Sequence, residues 1–239
     1  MSLTPDWVLE HRSHAAERSG GISSEAIYQC VERVITEKNL TGSVLDYGAG
    51  VGNLSRRLLA GKRFQHIAAA DIRAVPGDLD GLIEWIEQDL NAPMAGRDGW
   101  FDAVVAVEVI EHLENPRLMI REMWRLLNPG GTAIVTTPNN ESWRSVASLL
   151  ARGHFVAFSD SCYPAHITAL LRRDFTRIFQ EAGFSAPEFY FTNDGGIPGN
   201  PSVSWQKVSL GRLRGLRFSD NIAAVAKKPG IHMADAQRE

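Results

Sequence analysis

Residues 43–58, SVLDYGAGVGNLSRRL, decide how this chain folds. Val44 and Leu45 read as a buried strand, Asp46 to Gly52 as a glycine-rich turn, and Asn53 as the opening of a helix. Gly48, Gly50 and Gly52 stand at alternate positions, so the backbone can turn sharply and approach a ligand where a Cβ would collide. The string is not the dinucleotide fingerprint, because Asn53 holds the place of its third glycine. What gives the turn weight is the spacing of the acids behind it.

Three apolar runs follow, HIAAADI, IEWIEQDL and FDAVVAVEV, and they reach Asp71, Asp89 and Glu108. Read as strands of an open parallel sheet, they aim those acids into one crevice beyond their carboxyl ends. Leu118, Met119, Met123, Leu126 and Leu127 recur at helical spacing over Pro116–Leu127, with Asn128, Pro129, Gly130 and Gly131 as the stop. TAIVTTPN then reads as a fifth strand, and EFYFTND and NIAAVAKK as two more. The alternation predicts an α/β, doubly wound, Rossmann-like fold.

The spacing divides the chain into a single domain over 1–228 and a disordered tail over 229–239. Within it, 1–40 is a helical segment. Ile27, Val31, Val34 and Ile35 mark a helix that Ser23 or Ser24 can cap and that packs on the sheet edge. The part before the Ser-Gly-Gly-Ile break is either a lid over the ligand or a frayed terminus. A helix from Glu141 to Leu150 leads into an aromatic, histidine-bearing stretch, so 140–170 reads as an insertion covering the crevice. RRDFTRIFQEAGF is a helix ending at Gly183, and after the sixth strand a loop rich in Gly, Pro, Ser and Arg runs to Arg217.

Of the 239 residues, 44% are hydrophobic and 22% charged, enough apolar material for a sizeable core. No run has the length and apolarity of a membrane span, and the start lacks the sections of a signal peptide, so a cytoplasmic protein is expected. Cys30 and Cys162 form no CxxC pair, which argues against a disulfide framework or a zinc knuckle. A net charge of −3 gives no case for non-specific nucleic-acid binding. Oligomeric state is not legible.

LDYGAGVGN, the acids Asp71 and Asp89, FDAVVAVEVIEHLENP, NPGG and TTPN resemble, in order and spacing, the class I S-adenosylmethionine-dependent methyltransferases. The resemblance is close from Val44 to Asn139 and loose beyond. It implies a seven-stranded sheet in the order 3-2-1-4-5-7-6 with the last strand antiparallel. It also implies S-adenosylmethionine as cofactor, held by Asp46, Gly48, Ala49, Gly50, Gly52, Asn53, Asp71, Ile72, Asp89, Leu90 and Glu108. The loop amides would take the methionyl carboxylate, Asp46 would sit near the amine, Asp71 would accept the ribose hydroxyls and Asp89 the adenine amino group. A nicotinamide nucleotide also suits Asp71 but not the missing glycine.

Methyl transfer from a sulfonium rests on positioning in a dry site, and a hydroxyl acceptor needs a base. His112 and His166 are the candidate catalytic residues; His154 and Tyr163 read as packing of the insertion. Glu108, Glu111 and His112 are spaced i, i+3, i+4, which on a helix puts them on one face. With His166 they make a set suited to magnesium or manganese. A like ExxEH with a distant His occurs in the resembling ubiquinone-type O-methyltransferases and in small-RNA 3′-terminal 2′-O-methyltransferases. The other reading is that ExxEH is how the strand enters its helix in metal-free relatives. Arg212, Arg214 and Arg217 are either a phosphate site or a loop paired locally. Trp143, Phe155, Phe158 and Tyr163 suit an apolar or ring-bearing acceptor. A small hydroxylated acceptor is therefore expected; the alternatives are an RNA 3′ end, or a cofactor-binding regulatory subunit.

Overall fold

The computed structural model describes residues 5–230, so 231–239 of the expected tail lie outside the described residues. The strands are β1 (Gly42–Tyr47), β2 (Phe64–Asp71), β3 (Glu84–Glu87), β4 (Phe101–Ala106), β5 (Leu127–Pro138), β6 (Glu188–Phe191), β7 (Gly196–Ile197), β8 (Asn200–Ser204) and β9 (Asn221–Lys227). Seven of them form one sheet in the order β3-β2-β1-β4-β5-β9-β6. β1 to β5 pair in parallel, and β9 lies antiparallel to both β5 and β6. This is the expected order. Its last strand is β9 because β7 and β8 form a separate hairpin where an unstructured loop was expected.

The helices are α1 (Asp6–Ser19), α2 (Glu25–Glu37), α3 (Asn53–Gly61), α4 (Pro116–Leu126), α5 (Trp143–Arg152), α6 (Arg172–Glu181) and the single turn α7 (Trp205–Val208). Side-chain caps start three of them, α7 among them, where Ser204 accepts from the Lys207 amide. The Asn115 side chain accepts from the Leu118 amide ahead of Pro116, and Ser142 accepts from the Ser145 amide. Ser24 holds the cap position of α2, but its side chain makes no capping bond.

Alternation along β4 shows how the layers close. Val104 and Ala106 join Met119, Ile120, Met123, Phe175 and Phe179 on one face, under α4 and α6. Ala103 and Val105 join Val31, Val34 and Ile35 of α2 on the other, together with Val44, Ile134 and Val225. Both faces are covered, which is why the central strands read as unbroken apolar runs. α2 lies on the second of these faces toward the β9–β6 edge, as expected: Arg33 donates to the Phe191 carbonyl and Lys38 pairs with Glu188, both of the edge strand β6.

The helix α4 stops at Leu126 as expected, but the NPGG segment already belongs to β5, which starts earlier than expected: Phe101 pairs with Leu127, then the register shifts so that Ala103 faces Thr132. The Gly130 amide donates to the Lys228 carbonyl and the Lys228 amide to that of Gly131, so the segment is tied to the chain beyond β9.

Candidate active site

A cavity of about 620 Å³ lies beyond the carboxyl ends of β1, β2 and β4. Its wall takes Asp46 from β1, Gly48, Ala49 and Gly50 from the turn after it, Asp71 and Ile72 from the end of β2 and just past it, and Asp89 and Leu90 from beyond β3. Glu108 and His112 line it as well, as do His11, Arg12, Ala15 and Ala16 of α1. Two residues expected here are elsewhere. Gly52 and Asn53 are not on this wall: Gly52 precedes α3, and the Cβ position at Gly52 is 2.3 Å from the Leu79 side chain.

Gly48 and Gly50 both have positive φ. A Cβ on Gly48 would meet the Val109 side chain at 2.4 Å, and one on Gly50 the Gly21 carbonyl at 2.6 Å. The protein's own packing therefore demands these glycines. Nor is the turn an open amide cradle. Gly48 and Ala49 donate to the Ala70 carbonyl, Val51 to that of Gly21, and Gly52 to that of Ala49. The Gly50 amide donates to Asp71 Oδ2 at 2.7 Å.

Only Asp71 of the three expected acids ends its strand. Its Oδ1 accepts the Arg73 amide at 3.0 Å, and burial pushes its pKa up. Asp89 stands two residues past β3. Its Oδ1 accepts from the amide and side chain of Asn91, and its Oδ2 from Arg12 at 2.7 Å. Arg12 also makes two bonds to Glu114, at 3.0 and 2.6 Å. Arg73 donates to the carbonyls of Ala16 and Gly20, so two arginines fasten α1 and its exit across the cavity. Neither arginine carried a signal in the sequence, where each is one charge among many. Asp46, 1% exposed, accepts from Ser55 Oγ at 2.6 Å, and burial pushes its pKa up to about 7.

Glu108, Glu111 and His112 do not share a helical face. β4 ends at Ala106, Glu108 takes φ +53°, and only a single 3-10 turn follows, over Ile110–His112. Thr136 Oγ1 accepts the Glu108 amide at 2.9 Å, and Glu108 Oε2 accepts Asn221 Nδ2 at 2.7 Å. Glu108 Oε1 is buried without a partner, and burial pushes this carboxyl up to about 7. Glu111 is fully buried behind the wall, with Oε2 at 3.3 Å from Thr137 Oγ1 and Oε1 unpartnered. Burial first, and then the charge of Glu108, push it well above the carboxylate range.

His112 Nδ1 lies 2.7 Å from the Ala165 carbonyl, and His166 Nδ1 lies 2.7 Å from that of Ala157. A carbonyl only accepts, so each ring carries its proton on Nδ1 and keeps the Nε2 lone pair. Burial lowers both pKa values, that of His112 to about 4. The two rings meet edge to face at 4.8 Å. The amides of Ile167 and Thr168 both donate to the Glu111 carbonyl, at 2.9 and 3.0 Å, which fixes His166 here. Ligand atoms of Glu111, His112 and His166 lie within 4.8 Å of one another, and Glu108 is not among them.

A second cavity, about 300 Å³, adjoins the first, and Glu108, His166 and Asn221 line both. Asn221, 113 residues from Glu108, was not legible as a site residue. Of the four aromatic residues expected on the acceptor pocket, Tyr163 lines the larger cavity, and Trp143, Phe155 and Phe158 line neither. Phe158 packs on His166, and Arg217 lies over the Trp143 ring. Arg217 donates to the Glu141 carbonyl and Arg214 to that of Gly211, so two arginines of the basic cluster are paired locally. No helix among the described residues is long and apolar enough to cross a membrane.

Known proteins fit this architecture. A family model described as a methyltransferase domain matches residues 20–187. A ubiquinone biosynthesis O-methyltransferase of Xanthomonas oryzae pv. oryzae is 31% identical over 158 residues, covering 59% of this chain and 66% of the relative. The chain thus spans just under two thirds of that relative's length. An uncharacterized methyltransferase of Mycobacterium bovis is 35% identical over 106 residues, 41% of this chain and 51% of its own. Among solved structures, the methyltransferase held by the Trm112 activator of Haloferax volcanii superposes with a TM-score of 0.62 at 18% identity, over 92% of this chain and 96% of its own. The N-methyltransferase NodS of Bradyrhizobium japonicum, solved with S-adenosyl-l-homocysteine, gives 0.53 at 16% identity, over 84% and 85%. At such identities these structures share the fold alone.

Proposed function

The chain belongs to the methyltransferase-domain family, the class I S-adenosylmethionine-dependent enzymes, and from that premise we propose that it methylates a hydroxyl of a small acceptor. The observation that carries this reading is the junction of the two cavities, where Glu108, His166 and Asn221 face both. The larger cavity has the chemistry for the cofactor: Asp71 for the ribose hydroxyls, Ile72 and Leu90 as apolar walls for the adenine, and Asp46 and Glu108 toward the methionyl amine. Asp89 would share its Oδ2 between Arg12 and the adenine amino group. Bound there, S-adenosylmethionine supplies an electrophilic methyl group on a sulfonium.

The rest falls to the chain's own groups. His166 is the base we assign, since it lines both cavities, is neutral near pH 7, and presents Nε2 while Ala157 holds Nδ1. Asn221 holds the Glu108 carboxyl in place, and the α1 cover keeps water from the larger cavity. Purified protein, methyl-labelled donor and a panel of small hydroxylated acceptors test the activity. Asp71→Ala should bind S-adenosylhomocysteine at least tenfold more weakly, since charge-assisted hydrogen bonds contribute about 1.5–3 kcal/mol each. Unchanged affinity would remove the cofactor assignment.

A second reading is favoured by the meeting of Glu111, His112 and His166. Each imidazole donates its Nδ1 proton to a carbonyl, as metal-ligating histidines do, and Glu111 Oε1 lacks a partner. These three would hold a magnesium or manganese ion, which would lower the pKa of an acceptor hydroxyl; Glu108 would not be a ligand. Activity lost in chelator and restored by either ion, with Glu111→Ala still binding S-adenosylhomocysteine, would favour the metal. Full activity in chelator would leave His166 as the base.

A further inference from the structure

We propose that the smaller cavity is the acceptor pocket and that it takes a compact saturated ring bearing vicinal hydroxyls, a sugar or cyclitol, in place of a phenol. This rests on the methyltransferase reading and names its substrate class. The argument is an accounting of polar groups on the wall.

Buried polar groups in a finished site have partners, so the unpartnered ones describe the ligand. Asn139 is saturated: its Nδ2 donates to the carbonyls of Leu216 and Ser219, and its Oδ1 accepts the Glu141 amide. Asp220 Oδ2 is answered by Arg144 and the Gly196 amide. The oxygens of Ser142 and Ser145 accept amides of Ser145 and Val156. Two side-chain oxygens on this wall are buried without a partner, and that of Glu108 is the one placed toward the cofactor's amine. Asn140 gives its Nδ2 to the Leu170 carbonyl and leaves Oδ1 buried and unpartnered, in a residue only 3% exposed. Glu108 Oε1 is in the same state, and His166 keeps its Nε2 lone pair.

The wall thus offers unspent acceptors on Asn140 and His166 and unspent hydroxyl protons on Ser142 and Ser145, which suits a ligand whose groups both donate and accept. Vicinal hydroxyls supply several O–H donors from one small ring, and a phenol supplies one. The wall residues also include no phenylalanine, tyrosine or tryptophan on which an aromatic acceptor could stack. A volume of about 300 Å³ stands at the small end of ligand pockets, enough for one ring and not for a polymer. The transfer balances simply: a ring oxygen takes the methyl from the sulfonium as the carbon–sulfur bond breaks onto sulfur, and the hydroxyl proton passes to His166 Nε2.

Nuclear magnetic resonance on the whole chain, with and without S-adenosylhomocysteine, reads the side-chain amides of Asn140 and Asn221 against methyl β-glucoside, myo-inositol and phenol. The polyols should shift both amides in the wild type. Asn140→Leu removes the acceptor, and Val156→Phe fills the cavity without touching that hydrogen bond. Both should weaken polyol binding at least tenfold while leaving S-adenosylhomocysteine affinity unchanged. Shifts from phenol alone, no shift from either polyol at tens of millimolar, or equal polyol binding in both variants would overturn the assignment. Failure to bind S-adenosylhomocysteine would instead count against the methyltransferase reading, and the polyol arm is read separately in the free protein.

Discussion

Asp46 stands between strand, turn and helix with its carboxyl buried and its pKa pushed up to about 7. A folded pKa above the unfolded one means that its contribution to stability is full below about pH 3.8 and is lost as pH rises through about 7. Asp46→Asn keeps a partner for Ser55 and removes the ionisation. It should make the cofactor-free protein more stable at pH 8, by up to about 4 kcal/mol, and no more stable near pH 3.5. Urea unfolding at the two pH values checks this; an equal effect at both would show that charge is not the cause. The acids themselves were legible because each follows an apolar run, although only Asp71 ends its strand and Asp89 and Glu108 lie two residues past theirs. Asn221 was not, since nothing in an asparagine at the start of an apolar run tells which carboxyl 113 residues away it will meet. The face shared by Glu108, Glu111 and His112 failed because one left-handed φ redirects the chain before any helix starts.

Among the elements, α1 is the one whose place rests on charge. Arg12 is half-buried between Asp89 and Glu114, and the side chains of Arg12 and Asp89 are only 17% and 16% exposed. This pair is therefore screened less than a surface pair. Arg12→Ala should speed hydrogen exchange over α1 about tenfold or more in the free protein and leave β1 and β4 protected. Mass spectrometry of the exchanged peptides would show it, and an unchanged α1 would mean that Arg73 alone suffices. Sequence reading left the lid and the frayed end as alternatives, because the partners of a single arginine are long-range. Helix α4 was plain from its apolar spacing and its Asn-Pro start. The path of NPGG into β5 was not, since proline and two glycines signal a break without saying whether a strand absorbs it as a register shift.

Two apolar layers, under α4 and α6 on one side and α2 on the other, share one sheet. Phe179, fully buried, meets Phe184 edge to face at 5.2 Å. Phe179→Ala should cost about 3–5 kcal/mol in one unfolding transition, and leave the S-adenosylhomocysteine affinity of the folded fraction as it was. Two separated transitions would show that the layers melt apart. The sheet order came from the family resemblance and not from the residues' own spacing; the hairpin of β7 and β8 was not legible, being short and rich in turn residues.

The arginine-fastened strap lies over the Asp71 and Asp89 side of the larger cavity, whereas the smaller cavity is walled by α5, the segment before it and the Asp220 turn. Spent donor and fresh acceptor would then leave and enter by different doors. The pace of turnover would be set at the strap, so the enzyme's speed would respond to ionic strength through product escape while the chemical step stayed the same.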